Sequence, residues 1–382
     1  MASVMSFPTR IVFGKGAIKE LPAELKRAGA TRPLLVTDKG IMQAGLLRFV
    51  VPQLEQAGIK APIFTDFAAN PTDADALKGI EAYRSAGADS VLGVGGGASL
   101  DMAKAIALLV NHPPPLEQYD DAKGGDAKIT GVVPPIVQVP TTAGTGSEVG
   151  RSTVLVIDGT KTVIFSPSLM AKCAILDPEL TVGLPPFITA ATGMDALTHN
   201  LESYVAKGNH PLADAVAIDG LRRIAANLKK AVQNGKDLEA REQMLLASAF
   251  GAIAFQKGLG ACHSVAHALT PIAGTHHGLA NALMLPTVVH FNIMAAEARL
   301  ADAAVALGAD PRASAGERAN QCVELVDQLR VACGLPRKLS QAGVKREWIP
   351  QLVEKAMADA CHHSNPRPVT EVDFERLINE AF

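Results

Sequence analysis

Aromatic residues are scarce in this chain, with 12 Phe, three Tyr and one Trp among 382 residues, so its core must be built from Ala, Val, Leu and Ile. Cysteine is equally sparse. The five, Cys173, Cys262, Cys322, Cys333 and Cys361, are odd in number and lack CxxC spacing. A disulfide framework is not needed at this length, and the pattern suits reduced thiols in a cytoplasmic protein. An excess of either charge is also missing: 36 Lys plus Arg face 38 Asp plus Glu, and no segment gathers basic residues. A nucleic-acid partner is therefore not expected. No uncharged apolar run reaches the ~18 residues of a membrane span, and Met1-Ala-Ser-Val-Met-Ser-Phe-Pro8 does not read as a secretory signal. No membrane association is expected.

What the chain does have is length, glycine and an uneven supply of histidine. At ~150 residues per domain, two units are expected. Strand-like runs alternate with helical stretches up to about residue 180: strands at 32–38, 60–65, 90–94 and 136–140, helices at 41–57, 73–86 and 98–111. Such alternation implies a parallel sheet with crossover helices. Beyond Asp177 helical periodicity takes over, with helices expected at 189–205, 210–234, 238–256, 264–270, 286–307, 317–331, 345–357 and 372–382. The expected organisation is an α/β domain over 1–182 and an all-α domain over 183–382. Residues 1–14 read as an edge strand or hairpin that could pair with a second subunit.

Three segments at strand ends carry phosphate-binding or ribose-binding chemistry. Gly95-Gly96-Gly97-Ala98-Ser99-Leu-Asp101 closes a strand and opens a helix, where free N–H groups and the helix dipole favour an anion; a tight turn is the plain alternative. Asp38 ends an early strand, where an acid binds a ribose 2′-hydroxyl and repels a 2′-phosphate. Pro140-Thr141-Thr142-Ala-Gly-Thr145-Gly-Ser147-Glu148 follows another strand and concentrates four hydroxyls. Together they point to NAD.

Seven of the ten histidines fall between Asp195 and His290. Asp195 and His199 stand at i and i+4, hence on one face of a helix. Cys262-His263-Ser-Val-Ala-His267 repeats that spacing, and His276-His277 follows. Asp195, His199, His263 and His277 offer one hard oxygen and three imidazole nitrogens, a set suited to Fe²⁺ or Zn²⁺ acting as a Lewis acid on an alcohol or carbonyl oxygen.

At these residues the sequence resembles the iron-containing (group III) alcohol dehydrogenase family. The resemblance rests on 95–101, 140–148, Gly193-Met-Asp-Ala-Leu-Thr-His199, Gly260-Ala-Cys-His-Ser-Val-Ala-His267, His277-Gly-Leu-Ala-Asn281 and Asn365-Pro-Arg-Pro368. It implies an N-terminal α/β domain for NAD, a helical domain for the metal and a cleft between them, usually in a homodimer. The implied metal ligands are Asp195, His199, His263 and His277, with His277-Gly278 matching the motif better than His276. The implied proton-relay residue is His267, and the implied cofactor contacts are Asp38, Gly96, Gly97, Ser99, Asp101, Thr141, Thr142, Thr145 and Lys161. Arg151 stands where simple alcohol dehydrogenases usually carry Thr, as in the 4-hydroxybutyrate dehydrogenase-like branch. It would anchor a substrate carboxylate or pair with an acid such as Glu148.

The expected reaction is reversible hydride transfer between a primary alcohol, including a short ω-hydroxy acid, and its aldehyde, with NAD and Fe²⁺ or Zn²⁺. Rival readings are a metal-free maleylacetate-reductase-type enzyme, a zinc glycerol-dehydrogenase-type enzyme, a dehydroquinate-synthase-like lyase and a non-catalytic dinucleotide sensor.

Overall fold

The structure, a computed structural model, describes Met5, Phe7 and residues 9–382, so part of the expected N-terminal hairpin lies outside the described residues. Two compact units emerge: Phe7–Thr142 with Gly146–Gly183, and Leu184–Phe382 with Ala143–Thr145.

The first unit runs β1 (Arg10–Phe13), α1 (Leu21–Ala28), β2 (Pro33–Val36), α2 (Lys39–Gln43), α3 (Leu47–Gln56), β3 (Ile63–Phe64), α4 (Asp73–Ser85), β4 (Ser90–Gly95), α5 (Gly97–Leu109), β5 (Ile136–Pro140), β6 (Ser152–Ile157), β7 (Thr160–Phe165) and β8 (Cys173–Leu176). Six strands pair in parallel in the order β1-β8-β5-β4-β2-β3. β2, β4, β5 and β8 are buried along their whole length, which is why they read as continuous apolar runs without alternation. The helix expected over 41–57 is instead two helices broken around Gly45, which has φ +68°. The antiparallel hairpin β6–β7 was not expected from the sequence; its alternating half-buried pattern sits between loops and turns over Asp158-Gly159.

The second unit comprises α6 (Pro186–Val205), α7 (Pro211–Gln233), α8 (Leu238–Ala254), α9 (Ala261–Ala273), α10 (His277–Leu307), α11 (Ala315–Ala332), α12 (Ile349–Ala358) and α13 (Glu371–Glu380). Every residue of α6 from Thr189 to Val205 is buried, because α7, α8 and α10 surround it. A helix buried on all sides belongs at the centre of a bundle. α10 begins nine residues before the expected start at Pro286, which proves to be internal. Proline there leaves the Ala282 carbonyl without its helical donor, and the buried Arg330 of α11 donates to that oxygen at 3.3 Å. α10 has the length and apolarity of a membrane span, but 67% of its most apolar window is buried in this unit, as a core helix is.

Candidate metal centre and cofactor loops

α6, α9 and α10 each contribute to one cluster. Asp195 Oδ1, His263 Nε2 and His277 Nε2 converge, with the two nitrogens 3.9 and 3.6 Å from the carboxylate oxygen. Asp195 and His263 are 2% and 1% exposed. The fourth expected donor, His199, stacks on His263 with ring centroids 4.6 Å apart. Its Nδ1–H donates to Gly144 O at 3.3 Å, which leaves Nε2 with a lone pair. Burial pushes its pKa down to about 4 against the pull of Asp195, so the ring is a neutral donor at physiological pH. Of the two adjacent histidines, His277 joins the cluster, while His276 is exposed and meets Phe187 edge-on. Helix packing makes this convergence possible at Gly278, where a Cβ would stand 2.2 Å from Ala191 O and 3.2 Å from Asp195 Cβ.

Three further residues hold the donors and the neighbouring His267 in place. Asn281, one turn after His277, donates through Nδ2 to Asp195 Oδ1 at 2.7 Å, and the same nitrogen lies 3.2 and 3.3 Å from the Nε2 atoms of His263 and His277. Ligand atoms gathered around one point, from a carboxylate and imidazoles, form a donor set that fits Fe²⁺ or Zn²⁺. Glu202 accepts from His263 Nδ1–H at 2.6 Å. Asp359 accepts from His267 Nδ1–H at 2.7 Å, and also from Ser264 Oγ–H and the Cys361 N–H. Burial would raise the Asp359 carboxyl, but His267 and these donors outweigh it and hold it well below the usual carboxylate range. Glu202 was legible as the third member of a stripe with Asp195 and His199 at i, i+4, i+7. Asn281 lies inside a quoted motif, whereas nothing local singles out Asp359.

In the α/β unit, β4 ends at Gly95 with φ +149°, and Gly96 caps α5 without a side chain. The N–H groups at the start of α5 are thus left for an anion. A Cβ on Gly95 would meet Ser99 Oγ at 2.4 Å, and one on Gly96 would crowd Thr142. Asp38 accepts from the Ile41 N–H, capping α2, and from Ser99 Oγ–H at 2.8 Å, which fixes its carboxylate at the end of β2. Thr141 Oγ1 is buried with no protein partner among the described residues, which suits a bound polar ligand. These features fit a dinucleotide. Gly97 opens α5 as expected, whereas Thr145 falls in the helical unit, apart from Thr141 and Thr142.

Asp101 accepts from Ser147 Oγ–H at 2.6 Å; burial raises its pKa, while Lys104 and Lys161 on β7 pull it down. Lys104 was not predicted. Fully buried, it donates through Nζ to the carbonyls of Ser147, Gly150 and Ser152 at 2.6, 2.9 and 2.9 Å, pinning the segment after β5. Burial lowers its pKa to about 8 and raises that of neighbouring Glu148 to about 7. Arg151 does not pair with Glu148. Its guanidinium lies over the Phe165 ring at 4.8 Å, and it makes no ion pair among the described residues.

A parallel-sheet unit with an anion-ready helix start and a helical unit with a mixed His/carboxylate cluster define a dinucleotide-linked, metal-assisted oxidoreductase. Residues 8–178 match the family described as iron-containing alcohol dehydrogenase, and residues 189–382 match the C-terminal part of the Fe-containing alcohol dehydrogenase family. A 4-hydroxybutyrate dehydrogenase of Cupriavidus necator is 39% identical over 98% of both chains. A crystal structure of 1,3-propanediol oxidoreductase superposes with a TM-score of 0.95 at 36% identity, covering 100% of both chains. Sulfoacetaldehyde reductase from Bifidobacterium kashiwanohense in complex with NAD⁺ superposes at 0.88, with 28% identity over 100% of this chain and 99% of that one. This chain belongs to the iron-containing alcohol dehydrogenase family. It is an NAD-linked, metal-dependent alcohol dehydrogenase, which sets aside the lyase and sensor readings.

Proposed function

We propose that the enzyme interconverts a short ω-hydroxy acid of the 4-hydroxybutyrate type and its aldehyde, using Asp195, His199, His263 and His277 for the metal and His267 for the proton. The observation that carries this reading is the convergence of Asp195, His263 and His277, with His199 stacked against the cluster. A bound Fe²⁺ or Zn²⁺ would polarise the substrate oxygen as a Lewis acid. Because Asp359 takes its Nδ1–H, His267 keeps a lone pair on Nε2 and can accept the alcohol proton there. The ring of His267 stacks on His277 at 5.2 Å, so that lone pair belongs to the same neighbourhood as the donor set. Gly96, Gly97 and the N-terminus of α5 would hold the pyrophosphate, Asp38 a ribose hydroxyl, and Ser99, Asp101, Thr141, Thr142, Thr145 and Lys161 further parts of NAD.

The substrate class is supported by Arg151, a guanidinium without a carboxylate partner among the described residues, and by likeness to a 4-hydroxybutyrate dehydrogenase. A charge-assisted bidentate pair contributes about 1.5–3 kcal/mol, or roughly 10–100-fold. Fe²⁺-reconstituted wild type and Arg151→Ala should therefore be assayed for NADH formation on neutral alcohols, diols and ω-hydroxy acids. The expected loss of roughly 10–100-fold is confined to the hydroxy acids. Equal losses on neutral alcohols would remove the anchor role, and wild type without turnover on any alcohol would remove the substrate assignment altogether.

A cytoplasmic homodimer completes the proposal. The five cysteines form no disulfide, and β1 lies at the edge of the sheet with Ile11 and Phe13 more than a third exposed.

A further inference from the structure

Glu202 does two jobs that meet at His263. It lies on α6, is 3% exposed, and reaches across to the first turn of α9. One carboxylate oxygen accepts from the Cys262 N–H at 2.8 Å; the other accepts from the His263 N–H at 3.3 Å and from His263 Nδ1–H at 2.6 Å. Cys262 and His263 are the second and third residues of α9, so their N–H groups are among the orphan donors of a helix start. Gly260, at the N-cap, has no side chain to satisfy them. The approach leaves no room for one, because a Cβ at Gly260 would stand 2.6 Å from Glu202 Oε1 and 2.8 Å from Asn365 Oδ1. Leaving a carboxylate buried without compensation is strongly destabilising. Here three N–H groups and the positive end of α9 compensate it.

The consequence lies on the other side of the imidazole. A neutral histidine carries one N–H, and an ionised carboxylate only accepts. With Glu202 at 2.6 Å from Nδ1, the proton must sit on Nδ1, since the other tautomer would set a lone pair against a charge. Nε2 is then an acceptor, and it is the atom that faces Asp195. His199, by contrast, is backed by a neutral carbonyl at 3.3 Å.

We propose that Glu202 is a positioning residue that locks His263 as an Nε2 donor and thereby sets the metal affinity of the Asp195–His199–His263–His277 set. The proposal rests on the reading of that set as the metal site. Outer partners of metal-bound histidines typically change affinity 10–100-fold when removed. Asn365 supplies the control, because its Oδ1 accepts from the Ala261 N–H at 3.3 Å and seats the same helix end without touching His263 in the bonding pattern.

Zn²⁺ affinity should be measured by chelator competition on metal-stripped wild type, Glu202→Gln and Asn365→Ala. Thermal melting and NADH binding would serve as checks of folding. Glu202→Gln is expected to bind Zn²⁺ roughly 10–100-fold more weakly. Asn365→Ala is expected to melt lower while its Zn²⁺ affinity stays within about twofold, the scatter of independent sites. Wild-type affinity in folded Glu202→Gln overturns the proposal, as does an equal loss in Asn365→Ala, because Glu202 would then act only through the helix seat. A further measurement needs no variant. In Zn²⁺-loaded wild type, ¹⁵N spectra of histidine should show His263 protonated at Nδ1, and a proton at Nε2 overturns the proposal. Failure of wild type to bind one Zn²⁺ per chain instead overturns the metal-site reading beneath it.

Discussion

In the α/β unit the groups proposed to meet a ligand are backbone N–H groups at the start of α5 and hydroxyls or carboxylates at strand ends. In the helical unit they are imidazoles and a carboxylate on three separate helices. The first arrangement is local, since Gly95 to Ser99 provides it within five residues. The second exists only when α6, α9 and α10 pack, and three of its four donors have separate supports: Gly144 for His199, Glu202 for His263, Asn281 for Asp195. The difference suits the ligands. A dinucleotide is bound by many weak contacts spread over a surface, whereas a metal ion demands few donors at fixed distances.

The largest test of that contrast removes one donor. Asp195→Ala should abolish metal binding and, with several kcal/mol of Lewis-acid stabilisation gone, lower turnover by roughly 10³-fold or more. NADH binding, measured by fluorescence, should persist, because all of its proposed residues except Thr145 lie in the other unit. Loss of both together would show that the two sites are not separable.

Titration offers a second test with opposite signs in the two units. His199, buried, has its pKa lowered to about 4 from 6.5. In the metal-free protein the unfolded chain therefore binds more protons than the native one between those values. Stability falls as pH drops through that window, by up to about 3 kcal/mol. Glu148 has its pKa raised by burial to about 7 from 4.5, so there the native state holds the extra proton, and stability falls as pH rises from 4.5 to about 7. Hydrogen exchange corrected for intrinsic rates should show peptides around 195–205 gaining protection between pH 4.5 and 6.5 while those around 136–150 lose it. Parallel trends in both would refute the assignment.

The same contrast explains what could be read from sequence. Strands β2, β4 and β5 and the glycine turn after β4 announce themselves because their signals are contiguous. Asp195 with His199 and His263 with His267 were visible because one helical turn brings them together. The hairpin β6–β7 was missed because its alternation is short and bounded by loops, and the start of α10 was misplaced because Pro286 is rescued by Arg330, far away in sequence. Lys104 looks like any helical lysine until the carbonyls it holds are seen. Asp359 sits 92 residues from the histidine it supports, so only tertiary structure reveals the pair.

Two glycines allow the smallest but most direct comparison of the units. Gly278 on α10 faces backbone: an added Cβ would lie 2.2 Å from Ala191 O on α6, and a helix carbonyl cannot rotate away. Gly278→Ala should therefore push α6 and α10 apart, costing about 1–3 kcal/mol of overpacking and loosening Zn²⁺ binding by moving Asp195 relative to His277. Gly95 faces the Ser99 side chain at 2.4 Å, which could turn aside, but its φ of +149° is strained for any residue with a Cβ. Gly95→Ala should therefore distort the turn into α5, at a cost of about 1–2 kcal/mol in stability. Here the loss should fall on NADH affinity, with Zn²⁺ affinity unchanged. Melting, Zn²⁺ competition and NADH fluorescence on the two variants separate the effects. If Gly278→Ala left Zn²⁺ affinity at the wild-type value, the donors would not depend on helix packing as argued, and the contrast between a local site and an assembled one would fail.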